Sequence, residues 1–194
     1  MLVALAGVLT GCLSSGPREA QRFYVLEDPA TPNARAETTR SATLLLAPAT
    51  VSSFYDTQGI AYSRAPGTRA YYQYHSWTEP PGQRIGELLA ARLESSGAFR
   101  TVASVTSTVR GDLVLSIYLA ELYHDAASAP GSARVSLTAE LTDPARRTFV
   151  ARRSFSASAP AASYDAPGAV QAFNRALGEL FDEVIVWIDG VVPR

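Results

Sequence analysis

Between Pro167 and Ile188 seven large apolar residues fall on one stripe at helical spacing: Val170, Phe173, Leu177, Leu180, Phe181, Val184 and Ile188. A helix with such a face cannot stand alone in water. Burying each of these side chains is worth roughly 1.5–3 kcal/mol, a gross gain of ~10–20 kcal/mol that is realised only against another apolar surface. The chain must therefore supply a sheet with one apolar face, and its strand patterns meet that demand.

The clearest half-buried strand is Arg134 to Leu141. Val135, Leu137, Ala139 and Leu141 alternate there with Arg134, Ser136, Thr138 and Glu140. Leu113, Leu115, Ile117 and Leu119 alternate in the same way after Gly111-Asp112. Thr148 to Ser156 returns after the Asp143-Pro144-Ala145-Arg146 turn, so these three strands read as a meander. Upstream, Arg22 to Leu26 reads as a short first strand and Thr43 to Val51 as a second. Pro48 inside the latter points to an edge or an early end. Ile60 to Arg64 and Arg69 to Trp77 flank the Ala65-Pro66-Gly67-Thr68 turn as a hairpin. Pro80-Pro81 opens a first helix carrying Ile85, Leu88, Leu89 and Leu93, and Gly97 is its stop signal. Phe99 to Val105 follows as a further strand.

The expected architecture is one α+β domain over residues 22–194. It has a mainly antiparallel mixed sheet with two amphipathic helices packed on one face.

The N-terminus obeys a different logic. An apolar run from Leu2 ends in Leu9-Thr10-Gly11-Cys12, and the next residues are Leu13-Ser14-Ser15-Gly16-Pro17-Arg18. The run is too short to span a bilayer, which takes roughly 20 residues. Its length and its small residues before the cysteine suit the apolar part of a signal peptide. The segment resembles a bacterial lipobox. That resemblance implies removal of residues 1–11, a diacylglycerol on the Cys12 thiol, and acylation of the new N-terminus. The competing reading is a small buried thiol after an apolar start. No Arg or Lys precedes the run, the pattern of a start placed downstream of the true one. Residues 12–21 then form a lipidated Cys and tether. At about 3.3–3.6 Å per residue the tether reaches roughly 30 Å, which keeps the domain near its membrane.

Composition excludes several functions. Net charge is −1, so no global field favours nucleic acid. The single cysteine rules out an internal disulfide, and its lipidation would leave no free thiol for catalysis or for ligating a metal. His75 and His124 stand at no metal-ligand spacing, and there is no phosphate loop or nucleophile elbow. We therefore expect no enzyme activity, cofactor or metal. His124-Asp125 at a strand end could serve as an acid/base pair, but such a pair is more often a solvated loop. Arg146-Arg147 and Arg152-Arg153 read as a charged hairpin edge that discourages sheet-to-sheet association, or as a patch for an acidic partner.

The most unusual stretch is Tyr71-Tyr72-Gln73-Tyr74-His75-Ser76-Trp77. Simple alternation sets Tyr72 and Tyr74 on one face, and Tyr71, Gln73, His75 and Trp77 on the other. These aromatics either fill the core or make a contact surface. Tyr72, Tyr74 and Trp77 are the candidate partner-binding residues.

Taken in order, the pieces resemble the ABC-type transport auxiliary lipoproteins, a PqiC-like family. They are the lipobox, Phe23-Tyr24-Val25-Leu26, the strand with Pro48, Gly59-Ile60-Ala61-Tyr62-Ser63-Arg64, the aromatic run ending Trp77-Thr78-Glu79-Pro80-Pro81, the helix to Leu93, Phe99 after Gly97, and Asp112-Leu113-Val114-Leu115. The resemblance implies a non-enzymatic accessory of a transport system with an MCE-domain protein, moving phospholipid or other hydrophobic molecules between inner and outer membrane. It implies the MCE-domain protein as partner and self-association into a homo-oligomeric ring. Leu13 after Cys12, where Asp would favour inner-membrane retention, points to the outer-membrane inner leaflet, with the domain facing the periplasm. The alternative is a lipoprotein that assists outer-membrane assembly or activates a cell-wall synthase.

Overall fold

The computed structural model describes residues 19–29 and 39–192, and Cys12 with its lipobox lies outside them. The element order is β1 (Arg22–Tyr24), β2 (Arg40–Leu46), β3 (Thr50–Val51), β4 (Gly59–Ser63), β5 (Ala70–Trp77), α1 (Pro81–Ser96), β6 (Phe99–Ser104), β7 (Leu113–Asp125), β8 (Ser132–Asp143), β9 (Thr148–Pro160) and α2 (Ala166–Val191). This is a single α+β domain built on one open, nine-stranded mixed sheet.

The thirteen-residue β7 is the axis of the sheet. Its one edge carries the expected meander, with β8 antiparallel to β7 and β9 antiparallel to β8. Its other edge takes three partners in succession, all parallel. Leu44–Leu46 of β2 lie beside Leu113–Leu115, β3 beside Tyr118 and Leu119, and the end of β4 beside His124 and Asp125. The sheet therefore forks. One arm continues from β2 to β6, and the other runs from β4 through its antiparallel hairpin partner β5 to β1.

The expected strand from Thr43 to Val51 is two strands. Residues 47–49, Pro48 among them, separate β2 from β3, which rejoins β7 a few residues further on. Proline has no N–H to offer a ladder, so the chain steps out of the sheet at Pro48. The Ala47 N–H still reaches the Leu115 carbonyl at 2.9 Å and the Ser52 N–H reaches Leu119 at 2.9 Å.

Both helices cover one face of the sheet and share a single core. Helix α2 lies over β8 and β9, and its seven-residue stripe is buried as expected, along with Trp187 edge-on to Phe155. Asp165 caps its first turn, accepting from the Gly168 N–H at 2.8 Å. At the far end buried Arg40 donates to Asp189 Oδ1 and to the Asp189 carbonyl, each at 2.8 Å, and to the Val192 carbonyl at 2.9 Å. That guanidinium satisfies carbonyls that the helix end leaves without an intrahelical donor, and it places positive charge at the negative end of the helix dipole. Helix α1 buries Ile85, Leu89 and Leu93. It stops at Gly97, whose φ of 70° is a left-handed conformation that suits glycine.

Candidate functional site

Strand β5 forms a pair with β4 whose register slips between Gly59 and Ala61, so that Gly59 opposes Ser76 while Ala61 opposes Tyr71. The extra residues bulge out of the ladder, and simple alternation fails along this strand. Tyr71 is exposed and stacks on Phe54 with ring centroids 4.6 Å apart, and its hydroxyl donates to the Phe54 carbonyl. It lies over Gly59, where a Cβ would come within 2.6 Å of the ring. Tyr74 is half-buried. Trp77 is only 2 % exposed and meets Phe173 of α2 edge-on at 5.6 Å. Of the three residues singled out in the sequence, Trp77 is thus a core side chain, and Tyr72 turns toward a buried histidine.

That histidine is His124, and its burial corrects the solvated-loop expectation. A register shift between Leu119 and Glu121 inserts one residue into β7. Before it the odd positions Leu113, Leu115, Ile117 and Leu119 are buried; after it the even positions Leu122 and His124 are. The bulge therefore swings His124 onto the helix side of the sheet. Its Nε2 lies 3.0 Å from the Pro130 carbonyl, which can only accept, so Nε2 carries the proton. Nδ1 then accepts from the Tyr72 hydroxyl at 2.7 Å. Tyr164 and Asp165 face the ring from the segment before α2, and Asp125 follows it on β7.

Burial pushes the His124 imidazole below its ordinary pKa of 6.5, outweighing the Pro130 carbonyl and the Asp125 and Asp165 charges that favour the imidazolium. Burial likewise raises Tyr72, with Asp165 adding to the effect, to about 12. Both groups stay neutral near pH 7, so the pair is a structural clasp between β5 and β7. A second pair, Tyr24 hydroxyl to His75 Nδ1 at 3.0 Å, ties β1 to β5.

The clasp has a pH signature. A histidine depressed in the folded state binds its proton more readily in the unfolded chain. Stability is then fully present above the unfolded pKa and declines as pH falls below it, by at most about 1.4 kcal/mol per pH unit until the folded pKa is reached. Asp143 and Asp165 are held below their ordinary value of 3.8, Asp143 by the backbone N–H and side chain of Arg146, Asp165 by the Ser163 hydroxyl and the Gly168 N–H. Their contributions are lost only at still lower pH. We expect the midpoint of urea unfolding to fall between pH 7 and pH 5, and His124→Gln to flatten that slope. An equal slope in the variant would place the titration elsewhere.

A third feature is a groove of about 600 Å³ along α1. Leu46, Ala47, Pro48 and Val102 lie along its sheet side, and Gly86 and Ala90 along the helix. No sequence signal marked it, because it joins three segments distant in the chain. Among the described residues no group of three His, Cys, Asp or Glu side chains stands close enough to hold a metal ion, and no helix is long and apolar enough to cross a membrane.

A family model described as the ABC-type transport auxiliary lipoprotein component matches residues 24–185. The chain belongs to that family. The match runs from the first strand into the last helix, so it embraces the forked sheet, both helices and the Tyr72–His124 clasp. Solved structures share the fold of this family member. Protein XCC0632 from Xanthomonas campestris is 25% identical, covers 88% of this chain and 96% of its own, and superposes with a TM-score of 0.77. A second crystal structure, of an uncharacterized protein, is 15% identical with 88% and 99% coverage and a TM-score of 0.70. No curated protein matches the chain by sequence.

Proposed function

We propose that this chain is a periplasm-facing outer-membrane lipoprotein and a non-enzymatic accessory of an ABC-type transport system with an MCE-domain protein. Such a system moves phospholipid or other hydrophobic molecules between the two membranes. The observation that carries the reading is the family match over residues 24–185. In this reading residues 1–11 are removed, Cys12 holds the lipid, residues 13–21 are the tether and residues 22–194 form the docking domain. Arg22 opens β1, so the ordered sheet begins directly after the tether.

The partner contact, in this reading, uses the exposed side of the β5 hairpin. Tyr71 and half-buried Tyr74 stand at its surface, while Trp77 and the Tyr72 clasp hold the strand in place from behind. Aromatic residues with a polar tip suit such contacts. A ring of several copies would multiply the contact with one partner.

The experiment is co-purification from mildly crosslinked envelopes, with the acylated protein as bait and mass spectrometry as readout. We expect an MCE-domain protein with its permease and ATPase. Recovery of a β-barrel or a cell-wall synthase without any MCE-domain protein would overturn the proposal.

A further inference from the structure

The groove along α1 runs beside an open sheet edge. Strand β6 ends its arm of the sheet, and among the described residues no strand pairs on its outer side. The Val105 N–H points inward, to the Leu46 carbonyl at 3.0 Å. Backbone groups alternate in direction along a strand, so beyond the register shift near Arg40 the N–H and C=O of Val102 and the N–H of Ser104 point outward, away from β2. Val102 and Ser104 pair with Leu44 and Leu46, which sets their side chains on the helix side of the sheet, beneath α1. An open edge flanked by a helix across an apolar groove is the geometry in which an extended peptide adds as a further strand.

The groove also has a sign. Asp56, Glu87 and Glu94 line it, and among the described residues no basic side chain does. Glu87 is engaged by Arg84 at 3.4 Å and by Gln83 at 3.2 Å. Asp56 and Glu94 make no ion pair among the described residues. Glu87, Ala90 and Glu94 form one helical stripe, with the two carboxylates about 10 Å apart along the axis at ~1.5 Å per residue. Same-face positions four apart on a strand are about 13 Å apart, within reach of two long basic side chains. Small apolar residues between them fit over Gly86 and Ala90.

We propose that this edge and groove bind an extended segment of a partner protein by strand addition to β6. The segment turns small apolar side chains into the groove and sets flanking arginine or lysine residues against its carboxylates. The inference rests on the surface alone and holds whichever transport system the protein serves.

The test uses the acylated mature protein in neutral detergent and a fluorescent, capped heptapeptide of sequence threonine–arginine–serine–valine–serine–arginine–threonine. Binding is read by anisotropy, and pairing by hydrogen-exchange protection of the Val102 and Ser104 amides. We expect saturable binding that protects those amides. Glu94→Arg should weaken it roughly fivefold, by exchanging an exposed attraction for a repulsion. Gly86→Gln should weaken it by about tenfold or more. A Cβ at Gly86 meets only the Ala49 Cβ at 3.8 Å, so that variant fills the groove without straining the helix. A charge-reversed peptide with glutamates should not bind. Three results would overturn the proposal: no saturable binding at millimolar peptide, binding that both variants leave unchanged, or self-association through the groove that Gly86→Gln dissociates and the peptide does not compete.

Discussion

Replacing Trp77 with alanine should cost about 3–5 kcal/mol of folding stability, the range for truncating a buried aromatic. The indole is 2 % exposed, packs edge-on to Phe173, and sits where β5 meets β1 through the Tyr24–Trp77 pairing. Its removal leaves a cavity at the seam between the outer arm of the sheet and α2. The expected result is a lower denaturation midpoint with an unchanged slope against urea. Against a total stability of roughly 5–15 kcal/mol, such a loss removes between about a fifth and all of it. The variant therefore confounds partner binding with lost stability, whereas Tyr71→Ala reports on binding more directly, because Tyr71 is exposed. A loss below about 1 kcal/mol for Trp77→Ala would show that the ring is not held in the core.

Arg92→Ala should be destabilising on a similar scale, about 3–5 kcal/mol, because it removes a buried guanidinium that bridges two partly buried carboxylates. Arg92 is 3% exposed on α1. Its Nε donates to Asp28 Oδ2 at 2.8 Å, one Nη to Asp28 Oδ1 and the other to Asp182 Oδ1 of α2. One guanidinium thus joins the segment after β1 to both helices. Truncation removes both guanidinium hydrogen bonds to the Asp28 carboxylate, whose side chain is 10% exposed. A cycle with Asp28→Ala should show positive coupling, the double variant being more stable than the sum of the single losses implies. Additive losses would mean that the two groups do not act as a pair.

Much of this architecture is legible in the residues themselves. The α2 stripe, the β8 alternation, the β7–β8–β9 meander, the β4–β5 hairpin and the Gly97 stop all follow from neighbours in sequence, and each appears where expected. Pro48 signalled a break, but its outcome, a second short strand returning to β7, depended on what lay alongside. Along the aromatic strand alternation alone sets Tyr72 and Trp77 on opposite faces, as equivalent candidates for contact. The register slip against β4 removed that equivalence. His124 departs from the solvated-loop expectation for a related reason: one inserted residue in β7 reverses which parity faces the helices.

What the sequence determined by itself is the set of elements, the apolar faces they present and the family to which the chain belongs; the Cys12 anchor is a proposal that the sequence alone carries. Periodicity, capping and turn chemistry act over a few residues, so they can be read from consecutive letters. The tertiary structure alone decided the forked sheet, the burial of His124, the Arg40 and Arg92 clamps and the groove beside β6. These join residues far apart in the chain, 52 positions for Tyr72–His124 and 152 for Arg40–Val192. Such contacts depend on which strands pair and in what register, a choice made by the packing of the whole core, in which no single segment holds the deciding term.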